Sequence, residues 1–480
     1  MSRATREGGA APSEPALAVV ILAAGQGTRM KSQKAKVLHP LGGRPLIRHV
    51  LEAVRPLDAR EQIVVVGFQA RQVEQACAGF AARFVEQTEQ RGTGHAVRCA
   101  QPALEAFTGD VLILYGDVPL LETETLRRLI RAHRERRSTL SLLTTTVAEP
   151  SGYGRIVRDQ GGRLARIVEE RDASPSERAI QEINPGIYCV ESGFLFGALA
   201  TLRADNAQGE LYLTDIVAAA VREKRPVTTE PVEALEVTGI NSRAELAALE
   251  SALRERVVRR HMAAGVTFLD PASVYIDVEV TIGPDSVIGP LAQLRGATTI
   301  GSECRIDGNA FLEDATIGDR VHLKPMVVVA ESRIDEDAVI GPFAQIRPGT
   351  HLHRGVHIGN FVEVKKAVIG EGTKANHLAY LGDATIGRDT NIGAGTITCN
   401  YDGFAKHATR IGDRVQVGSD SQLVAPVTIG DDAYVATGTT VRHDVGPGAL
   451  AFNPKPDQRR EGWVEGFRKR KQGERKPGKS

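Results

Sequence analysis

The sequence has few cysteines, few aromatic residues and almost no net charge. Its 480 residues include five cysteines, which are odd in number and form no CxxC pair. This usage argues against a disulfide framework or a structural zinc site, and it favours the reducing cytoplasm. Because 60 Lys and Arg balance 59 Asp and Glu, the net charge of +1 gives no overall field toward nucleic acid or membrane. The cysteines are Cys77, Cys99, Cys189, Cys304 and Cys399.

Long apolar runs are also missing. No segment approaches the roughly 20 apolar residues that a membrane helix needs, so we expect no membrane insertion. Residues 1–17 lack the apolar stretch of a signal peptide, and we interpret them as a disordered tail. Aromatic residues make up only 5% of the chain, whereas there are 49 glycines, a composition that suits many tight turns. A chain of this length is expected to form two or three domains.

Residues 18–241 alternate strand-like and helix-like segments. The runs LAVVILAAG, EQIVVVGF and DVLILYGDVPL are almost continuously apolar, as expected for strands buried on both faces of a mostly parallel sheet. Helical patterns such as PLIRHVLEAVR lie between them. We therefore predict an α/β, Rossmann-like domain over residues 18–241.

Residues 242–270 are expected to contain one long linker helix. Ser242 and Glu245 have the spacing of a capping box at its start. Apolar residues then follow at near-helical spacing: Leu246, Leu249, Leu253, Val257 and Met262.

From residue 271 to 453 the aliphatic residues repeat every six positions. Ile276, Ile282 and Ile288 open the series, and a glycine commonly follows the aliphatic residue. This period fits neither an α-helix nor an alternating strand, but it is typical of a hexapeptide β-helix, in which each unit forms a short strand and a turn. We predict a left-handed parallel β-helix of about nine or ten coils, with three units in each coil.

The end of the chain, residues 454–480, is basic and rich in turn-forming residues. The sequence RKRKQGERKPGKS could bind nucleic acid, but such charge runs are commonly solvated. We interpret this segment as a disordered tail and expect no nucleic-acid partner.

The first predicted strand ends in a glycine loop, LAAGQGTRM. Gly25 and Gly27 allow a phosphate to approach the backbone closely, and Arg29 and Lys36 add the positive charge that a triphosphate requires. Asp117 follows another apolar strand, and ligands of parallel α/β sheets bind at this edge. A carboxylate in that position suits Mg²⁺, and a helix N-cap is the alternative interpretation.

An ordered set of motifs resembles the sugar nucleotidylyltransferases: LAAGQGTRM, KVLH, EQRGTGHA, YGDVPL, GYGRIV, IVEE and EINPGIY. With the six-residue repeat behind them, residues 18–465 resemble the bifunctional N-acetylglucosamine-1-phosphate uridylyltransferase/glucosamine-1-phosphate acetyltransferases of bacterial cell-wall precursor synthesis. The resemblance implies that the C-terminal domain transfers an acetyl group from acetyl-CoA to glucosamine 1-phosphate. It further implies that the N-terminal domain uses Mg²⁺ to join UTP and N-acetylglucosamine 1-phosphate, releasing pyrophosphate. The implied assembly is a homotrimer that shares acetyltransferase sites.

The resemblance also implies the residues of the uridylyltransferase site. Arg29 and Lys36 are expected to face the phosphates as catalytic residues, and Asp117 and Asn241 are expected to bind Mg²⁺. The residues expected to bind UTP or the UDP-sugar product are Leu22, Ala23, Ala24, Gly25, Lys36, Gln87, Gly92, Thr93, Tyr115, Gly116, Asp117, Gly154, Glu169, Asn184 and Asn241.

For the acetyltransferase site, His377 matches the family's general base. Histidine suits this role because its ordinary pKa lies near neutral pH and the attacking amine must lose a proton. The residues implied for the sugar phosphate are Arg347, Lys365, Tyr380 and Asn391. Those implied for acetyl-CoA are Ala394, Asn400, Tyr401, Lys406, Ser419 and Thr437.

The six-residue period also breaks once near these residues. Between Thr398 and Ile411 the segment TCNYDGFAKHAT lengthens the spacing, and insertions in such repeats form loops on one face, often the binding face. In the family this loop reaches a neighbouring subunit.

Four positions depart from the family's pattern. Ala35 stands where Pro is usual, Pro185 where a small hydroxyl residue is usual, and Thr437 where Ala is usual. Pro454 replaces a basic residue that contacts the CoA phosphate, and Lys455 is the candidate to replace that contact.

Two other functions fit parts of the sequence. In a nucleotidylyltransferase with a single activity the β-helix would be only structural, but His377 and the insertion at 398–409 argue against this. A zinc enzyme of the carbonic-anhydrase kind could use the histidines of HLHRGVHIG, which are His351, His353 and His357. Their positions in the repeat differ, which argues against a shared zinc ion.

Overall fold

A computed structural model describes residues 15–454 and 458–474 of the chain. It divides into two compact units. The first unit contains the residues up to 260 together with 276–278, and the second contains 261–275 and the residues from 279 onward. None of the helices in the described ranges is both long enough and apolar enough to cross a membrane.

The first unit is built on a mixed sheet and a separate two-stranded pair. Its strands are β1 (Leu17–Leu22), β2 (Pro40–Leu41), β3 (Arg44–Pro45), β4 (Glu61–Val66), β5 (Arg83–Glu86), β6 (Asp110–Tyr115), β7 (Leu140–Thr146), β8 (Gly154–Arg158), β9 (Leu164–Val168), β10 (Glu182–Asn184), β11 (Tyr188–Glu191) and β12 (Val227–Pro231). The mixed sheet has ten strands in the order β5-β4-β1-β6-β11-β7-β10-β8-β9, with β12 paired to β7. Strands β5, β4, β1 and β6 are parallel, whereas β11 runs antiparallel to β6. Strands β2 and β3 form the separate antiparallel pair.

Both faces of this sheet are covered, which explains the continuous apolar runs in its central strands. In β1, Val19 and Ile21 pack into the core on one face, and Ala18, Val20 and Leu22 pack into the core on the other. The α-helices are α1 (Leu46–Val54), α2 (Ala70–Ala76), α3 (Thr93–Cys99), α4 (Thr123–Glu135), α5 (Pro175–Arg178), α6 (Ser192–Ala200) and α7 (Asp215–Arg222). The 3₁₀ helices are Thr28–Met30, Lys36–Leu38, Arg55–Leu57, Gln101–Leu104 and Ala234–Val237.

The start of β1 corrects one predicted boundary. Leu17 was assigned to the disordered tail, but it is the first residue of this strand and is buried. The remainder of that predicted tail, up to residue 14, lies outside the described residues.

The predicted linker helix is α8 (Arg243–Ala263). Its capping box is confirmed: the Glu245 amide donates to Ser242 Oγ at 3.2 Å, and the Ser242 amide donates to Glu245 Oε2 at 2.8 Å. Leu249 and Val257 are buried, as the apolar stripe predicts. Met262 was placed in this stripe wrongly, because 41% of its surface is exposed.

The second unit confirms the prediction of a left-handed parallel β-helix. Three parallel sheets of eleven, ten and nine strands form its faces, in agreement with about ten coils. Sheet one contains Thr267–Phe268, Val287–Ile288, Arg305–Ile306, His322–Leu323, Val339–Ile340, His357–Asn360, Lys374–His377, Asn391–Ile392, Gln416–Val417, Tyr434–Val435 and Leu450–Ala451. Sheet two contains Tyr275–Ile276, Gln293–Arg295, Phe311–Glu313, Val328–Ala330, Gln345–Ile346, Glu363–Lys365, Tyr380–Gly382, Ile397–Cys399, Gln422–Val424 and Thr440–Val441. Sheet three contains Thr281–Ile282, Thr299–Ile300, Thr316–Ile317, Arg333–Ile334, His351–Leu352, Val368–Ile369, Ala384–Ile386, Thr409–Ile411 and Val427–Ile429.

The six-residue repeat places its aliphatic side chains inside the coils. Ile288, Leu294 and Ile306 are examples, and each is at most 1% exposed. Residues in adjacent coils lie side by side when they are 17 or 18 positions apart, as Asn360 and His377 are. At the predicted insertion this separation grows to 25, because residues between Cys399 and Thr409 leave the coil as a loop.

The basic end of the chain contains a structure that the sequence did not lead us to expect. The segment RKRKQGERKPGKS of this basic tail was interpreted as disordered, but its residues 468–474 belong to a helix, α9 (Trp463–Glu474), whose residues are exposed. Residues 455–457 and 475–480 lie outside the described part of the chain.

We expect Gly359→Ala to destabilise the β-helix. Gly359 lies in the strand His357–Asn360, and a Cβ added there would overlap the carbonyl oxygen of Asn376 in the next coil. Because backbone must move to relieve this overlap, we predict a loss of about 1–3 kcal/mol or more in the free energy of unfolding. Thermal unfolding of the second unit's transition would measure it. Gly446→Ala is the matched control, because a Cβ there meets no atom within 4 Å; equal stability of the two variants would contradict the packing described.

Candidate active sites

The first unit has a cleft of about 240 Å³ at the carboxyl ends of strands β1 and β6. Ten predicted nucleotide-binding residues line it: Leu22, Ala23, Ala24, Gly25, Lys36, Gln87, Gly92, Thr93, Tyr115 and Asp117. Gly116 lies directly behind, and its amide donates to the carbonyl of Leu22 at 2.9 Å. The structure thus brings together in one cleft segments that are widely separated in the sequence.

Four lining residues were not predicted: Val37, Gln90, Ala96 and Glu210. Gln90 Nε2 donates to the carbonyl of Ala24 at 3.1 Å and so joins the EQRGTGHA segment to the glycine loop. Gln90 lies inside a quoted motif, so its type and position could have indicated a role. Glu210 lies outside every motif that we recognised. Arg29, expected to face the phosphates, is exposed in the 3₁₀ helix after the loop and does not line the cleft.

Three polar side chains converge at one wall of this cleft. The Lys36 ammonium forms an ion pair with Asp117 Oδ2 and donates to Asn241 Oδ1 at 3.1 Å. Asn241 is 205 positions from Lys36 in the sequence. The ammonium stands where a divalent cation held by the same two oxygens would stand. A carboxylate and an amide oxygen are hard ligands, so this donor set fits Mg²⁺.

Three further residues expected to bind the UDP-sugar, Gly154, Glu169 and Asn184, do not line the cleft. A Cβ on Gly154 would lie 2.9 Å from Ile167 Cγ2, so glycine lets that side chain pack closely against the strand, and it would lie 3.5 Å from Glu169 Oε1, an ordinary contact distance. Asn184 Nδ2 lies 2.6 Å from the Tyr188 hydroxyl, and Asn184 Oδ1 accepts from the Gly186 amide at 3.0 Å. This turn is the segment in which Pro185 departs from the family's pattern.

The environment of Glu169 disfavours its charged form. Burial raises the pKa of its carboxyl, and the nearby Asp215, Asp172 and Glu210 raise it further. A hydrogen bond from Thr214 Oγ1, at 3.1 Å, opposes this shift. An ionised Glu169 therefore costs folding free energy, as expected for a side chain retained to bind a ligand.

In the second unit, His377 ends the strand Lys374–His377 at the corner between sheets one and two. Its ring is exposed, and Nδ1 lies 2.8 Å from Asn360 Oδ1. An amide oxygen can only accept a hydrogen bond, so in the neutral ring Nδ1 carries the proton and Nε2 has the lone pair. Asn360 was not predicted; the coil spacing of 17 residues is the signal that could have identified it.

Three cationic side chains lie close together beside sheet two. Lys365 ends the strand Glu363–Lys365, and the neighbouring Lys406 lowers the pKa of its amine. Arg347 is held by Glu363 Oε1 at 2.6 Å. Two amines and a guanidinium in one place can bind a doubly charged phosphate group.

The Tyr380 hydroxyl accepts from Asn400 Nδ2 at 3.4 Å, and the same amide donates to Asp383. Both Asn400 and Tyr380 are therefore fixed next to the cationic group formed by Arg347, Lys365 and Lys406.

The inserted loop is ordered by its own hydrogen bonds. Tyr401 and Lys406 pair across it as an isolated bridge. Asp402 Oδ1 accepts from the amides of Phe404 and Ala405 at 2.8 and 2.7 Å. The same bonds, with one from His407, lower the pKa of Asp402 far below its usual range. Phe404 at the tip is 97% exposed, so the loop holds an apolar side chain out from its own subunit.

The residues expected to bind acetyl-CoA continue along the corner that carries His377. The carbonyl of Ala394 accepts from the Asp420 amide at 2.7 Å, and that of Ser419 accepts from the Gly438 amide at 2.8 Å. Ala394, Ser419 and Thr437 thus occupy three successive coils. Asn391 lies in sheet one, paired in register with Lys374 and Gln416. Pro454 is exposed, and Lys455 lies outside the described residues.

The three histidines considered as zinc ligands do not come together. His351 lies on sheet three and His357 on sheet one. His353 lies near His351, and both contact Asp335. The idea of a three-histidine zinc site is therefore wrong for the described residues.

Comparison with known families gives matches over both units. Residues 19–265 match the MobA-like NTP transferase domain. Residues 331–366 and 408–443 match the bacterial transferase hexapeptide, a model of six repeats.

Curated relatives match almost the whole chain. A protein named bifunctional protein GlmU from Pelobacter propionicus is 51% identical over 449 residues, covering 93% of this chain and 98% of the relative. Relatives of the same name from Mycolicibacterium vanbaalenii and Geobacter sulfurreducens are 50% and 48% identical, covering 93% and 95% of this chain and 92% and 99% of their own. The alternative of a nucleotidylyltransferase with a single activity is therefore wrong.

We predict that Glu169→Gln stabilises the free protein and weakens substrate binding. Because the pKa of Glu169 in the folded protein lies above its ordinary value, the wild type loses stability as the pH rises through and above that ordinary value. The variant lacks this loss, so its advantage in melting temperature should be larger at about pH 8 than at about pH 5.

Glu182→Gln is the matched control, because hydrogen bonds from Arg158 lower the pKa of Glu182. Its substitution should cost stability at about pH 8 and less at low pH. If Glu169→Gln melts below the wild type at about pH 8, the unfavourable environment assigned to this carboxylate is wrong.

Proposed function

This chain belongs to the family of bifunctional GlmU proteins, and on that basis we propose how its uridylyltransferase and acetyltransferase activities are divided. The first unit joins UTP to N-acetylglucosamine 1-phosphate, and the second acetylates glucosamine 1-phosphate with acetyl-CoA. The observation that carries this proposal is that the two units contain polar clusters suited to different chemistry. Lys36, Asp117 and Asn241 suit charge neutralisation, whereas His377 on Asn360 suits proton transfer.

In uridylyl transfer, a phosphate oxygen of the sugar phosphate attacks the α-phosphorus of UTP. A new P–O bond forms, the bond to the bridging oxygen of the β-phosphate breaks, and pyrophosphate leaves. The nucleophile is already an anion, so the residues must position two anions and offset their repulsion. Asp117 and Asn241 would hold Mg²⁺, which supplies positive charge for the phosphates. Lys36 contributes a second positive charge, and the glycine-loop amides hold the nucleotide.

In acetyl transfer, the amine of glucosamine 1-phosphate attacks the thioester carbonyl. The N–C bond forms, the C–S bond breaks, and CoA leaves as the thiol after taking up a proton. His377 Nε2 removes the proton that the amine must lose, since Asn360 keeps the proton of the ring on Nδ1. Arg347 and Lys365 would bind the phosphate of the sugar, and Lys406, which the sequence assigned to acetyl-CoA, lies next to Lys365 and would join them.

We further propose a homotrimer, supported by an exposed apolar ridge on the second unit. The ridge consists of Leu291, Met326, Phe343, Phe361 and Leu378, which are 46–61% exposed. They share one corner of the β-helix, and the rings of Phe343 and Phe361 stack with centroids 5.4 Å apart.

Leu378 of this ridge directly follows His377. An exposed apolar patch of this kind is typical of a protein interface. Covering the ridge with a second and third copy would therefore also cover the histidine and complete its site.

We predict that the two activities can be removed separately. Asp117→Asn should abolish most uridylyl transfer, because a charged ligand becomes a neutral one of equal size, and should spare acetyl transfer. His377→Ala should lower acetyl transfer by about 10²–10⁴-fold, mainly in kcat, and should spare uridylyl transfer. Product analysis with each substrate supplied separately measures both rates.

A mixture of these two variants should restore the path from glucosamine 1-phosphate to the UDP-sugar through a diffusing acetylated intermediate. Raising the pH should partly rescue His377→Ala by increasing the fraction of free amine. If the His377→Ala variant acetylates at the wild-type rate, this histidine has only a structural role. Parallel loss of both reactions in Asp117→Asn would show a folding defect instead of a lost ligand.

We predict that Phe361→Glu dissociates the trimer and lowers acetyl transfer while uridylyl transfer persists. A charge on the ridge would be buried without a partner in the assembly. Light scattering gives the mass, and Val368→Glu is a control, because Val368 is 39% exposed on sheet three, away from the ridge. A wild-type monomer with full acetyltransferase activity would overturn the proposal.

A further inference from the structure

A group of metal-ligating side chains on the β-helix lies outside both candidate active sites. It consists of Asp335, His351 and His353 on the sheet-three side of the β-helix. Asp335 Oδ2 lies 2.8 Å from His351 Nε2 and 3.2 Å from His353 Nδ1. The two imidazole rings have centroids 4.1 Å apart. Sequence alone grouped His351 and His353 with His357; the structure replaces His357 with a carboxylate from the previous coil.

These separations match the spacing of ligands around a transition metal. Tetrahedral Zn²⁺ with bonds of about 2.0–2.2 Å separates its ligand atoms by about 3.3 Å. The three donor atoms all lie within 4.8 Å of one another.

We propose that Asp335, His351 and His353 bind one divalent transition-metal ion of the Zn²⁺ type, separately from both reactions of the enzyme. Two imidazoles and one carboxylate are a familiar set of zinc ligands, and they leave the remaining position to water. Imidazole ligands disfavour Mg²⁺, so this site is distinct in metal preference from the pair Asp117 and Asn241.

The carboxylate of this site is oriented before a metal binds. Arg333 Nε donates to Asp335 Oδ1 at 2.8 Å, which leaves Oδ2 facing the histidines. Arg333 is therefore a positioning residue of the kind that commonly supports metal ligands.

The chain contains an internal comparison for this group. Arg305 Nε donates to Asp307 Oδ1 at 2.9 Å, and His322 Nε2 lies 2.8 Å from Asp307 Oδ2. The local sequence is HLK at 322–324 and HLH at 351–353, so Lys324 takes the position of the second histidine. The Asp307 group has one histidine and a cation, and it should bind no metal.

The test uses the full chain without a histidine tag, with Mg²⁺ in excess to occupy the oxygen-ligand site. Titration with Co²⁺, followed by its visible absorption, and Zn²⁺ competition measure binding directly. We expect one ion per chain for the wild type. His353→Lys, which copies the comparison group, should lose it, whereas His322→Asn should retain it. An unchanged thermal unfolding transition of the second unit in each variant confirms that the β-helix is folded.

Two results would overturn the proposal. One is the absence of stoichiometric Co²⁺ or Zn²⁺ binding by the wild type. The other is full retention of the ion by His353→Lys, which would place the metal elsewhere. Because the readout is the bound metal, neither result depends on whether the proposed catalytic roles are correct.

Discussion

The register between adjacent coils of the β-helix is the constraint on which the second unit depends. Away from the inserted loop, neighbouring residues of adjacent coils are 17 or 18 positions apart, so the period of the apolar core also determines which polar side chains meet. Asn360 meets His377 for this reason, and Arg333 lies beside His351 in the same way. A core of stacked aliphatic side chains holds these pairs without any long-range loop closure. The candidate acetyltransferase site includes one departure from this register, the inserted loop, which positions Lys406 next to Lys365.

The two units differ in how they bring together the side chains that their reactions require. In the first, buried parallel strands bring several loops to one edge, where a lysine, a carboxylate and an amide oxygen converge. That arrangement controls charge, which is what a reaction between two anions requires. In the second, one orienting amide decides which nitrogen of a histidine can accept a proton. The separation follows from chemistry, because phosphoryl-group transfer needs little proton transfer and amide formation depends on it.

Much of this could be predicted from the sequence because the signals are local and periodic. The six-residue repeat predicted the β-helix, the capping box predicted the start of α8, and motif resemblance placed ten residues in one cleft. Contacts between segments that are far apart in the sequence were harder to predict. Asn360 and Asp335 contact histidines that lie one coil away. Because the spacing between coils varies between 17 and 18 residues, such pairs are not apparent from the sequence. Met262 fitted the helical period but is exposed, since periodicity alone does not fix where a buried face ends.

We propose that coil register holds His377 with its proton on Nδ1 and leaves Nε2 as the base. Nitrogen-detected NMR of protein with labelled histidine measures this tautomer directly, and the spectrum of a His377→Gln variant assigns the signal among the 12 histidines. We expect the neutral form of the ring to be protonated at Nδ1, and an Asn360→Ala variant to lose that preference. A neutral ring protonated at Nε2 in the folded wild-type enzyme would show that Asn360 does not orient the base.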